Sequence, residues 1–126
     1  MKRTLLLAVL GLIMTSFRYQ GETEAIVTAF KNADAQQVGK YFDEYVDMKL
    51  LDKDEVKSMG RNQATLALKA FFAENGIKGF EKVSERELGN TMYLAGKLLN
   101  GGKGNNITIM LRVKDGHRQI ITLRIS

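Results

Sequence analysis

The sequence predicts an α+β fold, with N-terminal helices packed on a curved antiparallel sheet. Three observations carry that expectation. Early in the chain Ile26, Ala29, Phe30 and Ala33 recur at the spacing of a helix face. Further on the period changes to two, with Tyr45, Asp47 and Lys49 alternating with Val46, Met48 and Leu50. Near the end, Gly89-Asn90 and Asp115-Gly116 punctuate β-type segments as hairpin turns do. Helices followed by a strand meander bury their apolar faces as one helical layer on one sheet.

The chain opens with an address. Lys2 and Arg3 precede an uncharged apolar run, Leu5 to Met14, and polar residues follow from Thr15. A basic start, a short apolar core and a polar exit predict a secretory signal peptide over residues 1–21. The run is half the roughly 20 residues that a membrane span needs. The expectation is export to the periplasm or beyond, with cleavage after Ser16 or Gly21 and no stable membrane insertion afterwards. The chain has no cysteine, so a lipoprotein anchor, disulfides, a cysteine nucleophile and thiolate metal sites are all excluded.

Residues 22–126 then form a single domain. Of 19 basic residues, Lys2, Arg3 and Arg18 belong to the leader, which leaves 16 against 14 acidic ones. The high pI owes much to the leader, so the balance does not point to nucleic acid.

A helix is expected over residues 22–33. Asp34 is placed to cap a second, short helix carrying Val38, Tyr41 and Phe42 on its inner face. Residues 44–51 form a half-buried strand, DKDE (Asp52 to Glu55) a turn, and residues 56–59 a short strand. Residues 62–74 form the third helix, with Ala64, Leu68, Phe71 and Phe72 inward and Gly76 as its C-terminal stop. Residues 79–88 are polar on both faces and suit an edge strand. Residues 91–100, 107–113 and 117–125 complete the sheet. In the last hairpin, a three-residue loop Lys114-Asp115-Gly116 sorts the faces, setting Ile109 against Ile121, Ile107 against Leu123, and Arg112 against Arg118.

The run SMGRNQATLALKAFFAENGIKGF (Ser58 to Phe80), with Gln63, Ala64, Phe71 and Phe72 at its centre, resembles an uncharacterised family of small secreted Bacteroidota proteins, a domain of unknown function. The order of elements resembles the cystatin-like cone of the nuclear-transport-factor-2-like superfamily. That resemblance implies a pocket between helices and sheet. Some members are isomerases, dehydratases or polyketide cyclases, and others only bind ligands or partners. The acid–base residue that such enzymes place deep in the cone has no match here, so no catalytic residue is assigned.

Tyr41, Phe42, Phe71, Phe72 and Tyr93 are the candidates for lining such a pocket. Asp43 or Asp47 beside Tyr41, Tyr45 or Tyr93 would make a proton-transfer pair, but both aspartates fall at water-facing positions. His117, the lone histidine, follows a turn glycine and is expected at the surface. GGKGNN (Gly101 to Asn106) joins strand to strand, so it is a connector rather than a phosphate cradle. DKDEVKSMGRNQ fails as a calcium loop, with Lys57 where glycine is needed and Gln63 where glutamate is needed. Lys97, Arg112, Arg118 and Arg124 are placed on the outer sheet face, where an anionic partner is the functional alternative to plain solvation.

The expectation is an exported domain that binds a small molecule or a protein partner without catalysis, metal or nucleotide. The alternatives are a pocket enzyme of isomerase- or cyclase-like proton transfer, and a structural homodimer.

Overall fold

The computed structural model describes residues 21–126. The expected leader lies outside the described residues except for Gly21. Within the described residues, helix α1 covers 21–31 and buries Ile26, Ala29 and Phe30. Asp34 caps α2 (Ala35–Gly39), its carboxylate accepting the Gln37 N–H at 3.2 Å. The short helix ends before Tyr41, so only Val38 of its three expected inner residues belongs to it. Phe42 instead opens β1 (Phe42–Leu50). Strand β2 (Val56–Gly60) leads into α3 (Arg61–Glu74), which buries Ala64, Leu68, Phe71 and Phe72 and is followed by Gly76 at φ +62°. The chain then runs through β3 (Gly79–Leu88), β4 (Thr91–Leu99), β5 (Asn105–Lys114) and β6 (His117–Ile125).

The six strands form one sheet in the order β2-β1-β6-β5-β4-β3. Strands β3 to β6 pair antiparallel in succession, but β1 lies parallel to β6, so the sheet is mixed rather than antiparallel throughout. Alternation along β1 reports which face is buried and carries no mark of its partner. The parallel pair is closed by the long return through β2, α3 and three strands, the kind of connection that parallel pairing requires.

The last hairpin corrects the expected register. Its turn is two residues, Asp115 and Gly116, with φ of +54° and +77°, the double positive φ of a type I′ turn. Lys114 therefore faces His117, Val113 faces Arg118 and Arg112 faces Gln119. The faces are sorted further along, by a bulge at Ile121. Beyond it Met110 faces Thr122, Ile109 faces Leu123 and Ile107 faces Ile125. One extra residue in β6 does the work expected of a longer loop.

One face of the sheet is covered. Phe42, Val46, Met48, Phe80, Leu94, Leu98, Ile109, Leu111, Ile120 and Leu123 join the buried helix residues in a single core. The Phe30 ring stands at its centre, 6.4 Å from Phe72 and 5.5 Å from Phe80 between ring centres. Gly96 lines this face of β4, where a Cβ would stand 2.5 Å from the Phe80 ring. Among the described residues, no helix is long and apolar enough to cross a membrane.

Candidate functional site

The covered side is filled by hydrocarbon. Among the described residues its buried polar members are Thr23 and Arg118, and no carboxylate is buried. Phe42, Phe71 and Phe72 are core residues, and Tyr41 packs at the core margin. Tyr93 does not join them. Met92, Leu94 and Leu98 point inward from β4, so Tyr93 projects from the opposite face. The five expected pocket residues therefore do not line one cavity. The alternation around Tyr93 is itself the sequence signal for this.

Clefts on the helical side are shallow. One of 360 Å³ lies between α1 and β3, walled in part by the Lys82–Glu85 ion pair at 2.7 Å. Another of 560 Å³ lies between α2 and the start of α3, with Lys40 and Arg61 at its rim. The first is lined mainly by charged side chains, Glu24, Lys31, Lys82 and Glu85, and the second by polar residues around Lys40 and Arg61 with Leu66. Neither is the apolar enclosure that holds small ligands. Among the described residues, no three His, Cys, Asp or Glu side chains gather to hold a metal. The Gly101–Asn106 connector spends amide groups on itself, since the Asn100 side chain accepts the Gly102 and Gly104 N–H groups at 2.9 and 3.2 Å.

Sequence reading missed a charged junction at the start of β6. The Glu22 carboxylate accepts the Arg118 backbone N–H at 2.7 Å and lies 2.8 Å from His117 Nδ1. The Arg118 guanidinium donates to Glu87 at 2.5 Å. Arg118 is thus on the covered side, 5% exposed, and not on the outer face with Arg112, because the two-residue turn places it opposite Val113. The junction fastens α1 and β3 to β6. His117 is exposed, as expected, and lies beside a Glu22 carboxylate whose other oxygen fastens α1 through the Arg118 N–H.

The uncovered face has a different chemistry. Three cross-strand rows run over β3 to β6: Leu88, Thr91, Arg112, Gln119; then Arg86, Tyr93, Met110, Thr122; then Ser84, Ala95, Thr108, Arg124. They contain three arginines and no carboxylate. Arg124 is paired with Glu55 at 2.7 Å, while Arg86 and Arg112 have no ion-pair partner among the described residues. Lys97 lies one row further, directly opposite Glu81. On β1, Tyr45 is 58% exposed, Asp43 is tied to Lys114 at 3.2 Å, and Asp47 accepts the Ser58 N–H at 2.8 Å. Neither aspartate is paired with a tyrosine. Tyr, Met and Arg are the residue types enriched where proteins meet proteins.

Sequence and fold comparisons agree with this architecture. No curated protein matches the chain in sequence. The profile of a domain of unknown function, DUF4783, matches residues 23–126. A DUF4783 family protein from Bacteroides uniformis is 20% identical with a TM-score of 0.75, over 82% of this chain and 94% of that one. A second, from Bacteroides fragilis, is 25% identical with a TM-score of 0.71, over 80% of this chain and 93% of that one. A nuclear-transport-factor-2-like protein of unknown function from Cytophaga hutchinsonii shares the fold at 15% identity and a TM-score of 0.57, over 85% and 87% of the two chains. With its helices on a mixed sheet and a profile match spanning the whole described core, the chain belongs to the DUF4783 family.

Proposed function

We propose that this chain is exported, loses its leader, and acts as a non-catalytic binding domain that docks a partner protein on the uncovered face of its sheet. The difference between the two faces carries the reading. The space between helices and sheet, where a cone-shaped fold would hold a substrate, is occupied by apolar side chains, and among the described residues no carboxylate is buried there for acid–base work. The opposite face keeps Tyr93 and Met110 half-buried and Tyr45 exposed, with Arg86 beside Tyr93 and Arg112 in the neighbouring row. Apolar anchors among cations suit a broad macromolecular contact better than an enclosed small molecule. Export is supported by the basic start and the short apolar run at the N-terminus.

The test is a photo-crosslinking amino acid placed at Met110, and separately at Leu66 on the helical side, in the full chain expressed in its own cell. Adducts to a discrete protein in the exported fraction from position 110, and not from 66, are expected. Adducts from 66 alone would move the site to the helices. Retention of the chain in the cytoplasm would overturn the export reading.

A further inference from the structure

We infer that the partner presents an acidic surface, whose carboxylates engage Arg86 and Arg112 on either side of Tyr93. The inference rests on the reading that the uncovered face is the docking surface. Arg86 lies directly across from Tyr93 on β3, and Arg112 occupies the neighbouring row on β5. Both are exposed, and no described carboxylate neutralises either one. Of the three acids of β3, Glu85 holds Lys82, Glu87 holds Arg118, and Glu81 stands across from Lys97 at the far end of the strand. Two guanidiniums set about a tyrosine form a planar, donor-rich surface that matches carboxylates in fork geometry.

Charge complementarity also selects among occupants. A second copy centred on Tyr93 about a two-fold axis would set Arg86 and Arg112 against the arginines of its mate, a like-charge contact. An acidic peptide segment gains on both counts, with carboxylates for the arginines and side-chain carbon for Tyr93 and Met110. An anionic glycan would satisfy the charges but would leave Met110 without an apolar partner.

The experiment uses the purified full chain and a decaglutamate peptide, with a sulfated oligosaccharide and a Gly-Ser peptide as comparison probes. Decaglutamate is expected to shift the amide resonances of Arg86, Tyr93 and Arg112, with an affinity that falls as salt is raised. Arg86→Glu with Arg112→Glu should weaken binding at least tenfold while leaving the melting temperature unchanged. Arg86→Gln with Arg112→Gln should fall between. Shifts confined to the helical side, equal binding by the Glu double variant, tighter binding of the oligosaccharide at the same residues, or face-to-face dimers of the free chain would each overturn the inference. In the cell, a Met110 adduct that survives the Glu double variant would leave the docking face standing and overturn the acidic partner alone. Loss of the Met110 adduct in the unmodified chain would remove the docking face itself.

Discussion

The two faces of the sheet are built by the same strands and share almost nothing. On β4, Met92, Leu94 and Leu98 are buried, while Thr91, Tyr93 and Ala95 between them are half-buried and Lys97 is exposed. The covered face is filled with branched aliphatic and aromatic side chains against three helices. The uncovered face carries hydroxyls, a thioether and guanidiniums, with the carboxylates of Glu81 and Asp47 at its margins. The difference teaches how the chain separates stability from recognition. A period of two assigns each strand residue to one task or the other, and a slip of one residue would exchange them. The bulges at Val83 and Ile121 keep the assignment consistent where the register shifts.

The sharpest break of this comparison is on the covered face. Phe30 touches both the helix layer, through Phe72, and the sheet, through Phe80. Phe30→Ala should cost about 3–5 kcal/mol, a large fraction of what a domain of this size has. Urea unfolding should show the midpoint fall steeply or the native baseline vanish. A loss under about 1 kcal/mol would show that the core closes without this ring.

A finer test compares two adjacent residues of one strand. Gly96→Ala puts a methyl group against Phe80 and the Glu81 carbonyl, and overpacking of this kind costs about 1–3 kcal/mol. Ala95→Ser, on the uncovered face, should stay within about 0.5 kcal/mol. Equal effects at the two positions, read by thermal unfolding, would dissolve the distinction between faces.

Much of the covered face was legible in the sequence. The stripe Ile26, Ala29 and Phe30, the Asp34 cap and the Ala64, Leu68, Phe71 and Phe72 face of α3 follow from local spacing, and local spacing survives in the fold. What failed depended on partners distant in sequence. The parallel β1–β6 contact has no local mark. The β5–β6 register turned on a bulge at Ile121 that is set by packing across the sheet, and that error also misplaced Arg118. Of the five pocket candidates, Tyr93 was misassigned although alternation with Met92 and Leu94 placed it outward. The candidate docking face was partly visible through Arg112 and Lys97, whereas the proximity of Arg86, Tyr93 and Met110 required the strand order.

Arg118 is the place where the comparison is least clean, because a cation sits on the covered side. Arg118→Met keeps much of the buried stem and removes the guanidinium contact with Glu87. Glu87 is 57% exposed, so its freed carboxylate returns to water. The loss should be about 1.5 kcal/mol, the low end for a hydrogen bond between charged groups. A stabilised variant would mean that the ion pair serves position rather than stability, which replacement of buried ion pairs by apolar residues has shown elsewhere.

The smallest effect is expected at His117, which belongs to neither face but to the strand end where α1 is fastened. Its ring lies 2.8 Å from one Glu22 oxygen, with the imidazole side chain 55% exposed. Solvent screens such a pair, and exposed pairs contribute about 0–1 kcal/mol. The second Glu22 oxygen holds the Arg118 N–H at 2.7 Å and does not depend on the ring. His117→Ala should therefore lower stability by less than about 1 kcal/mol and leave α1 in place, while Glu22→Ala, which removes both contacts, should cost more. Amide hydrogen exchange in α1 separates the two residues. Faster exchange in Glu22→Ala with near-normal protection in His117→Ala is the expected pattern. Equal loss of protection in both would make the imidazole the true fastening and the backbone hydrogen bond secondary.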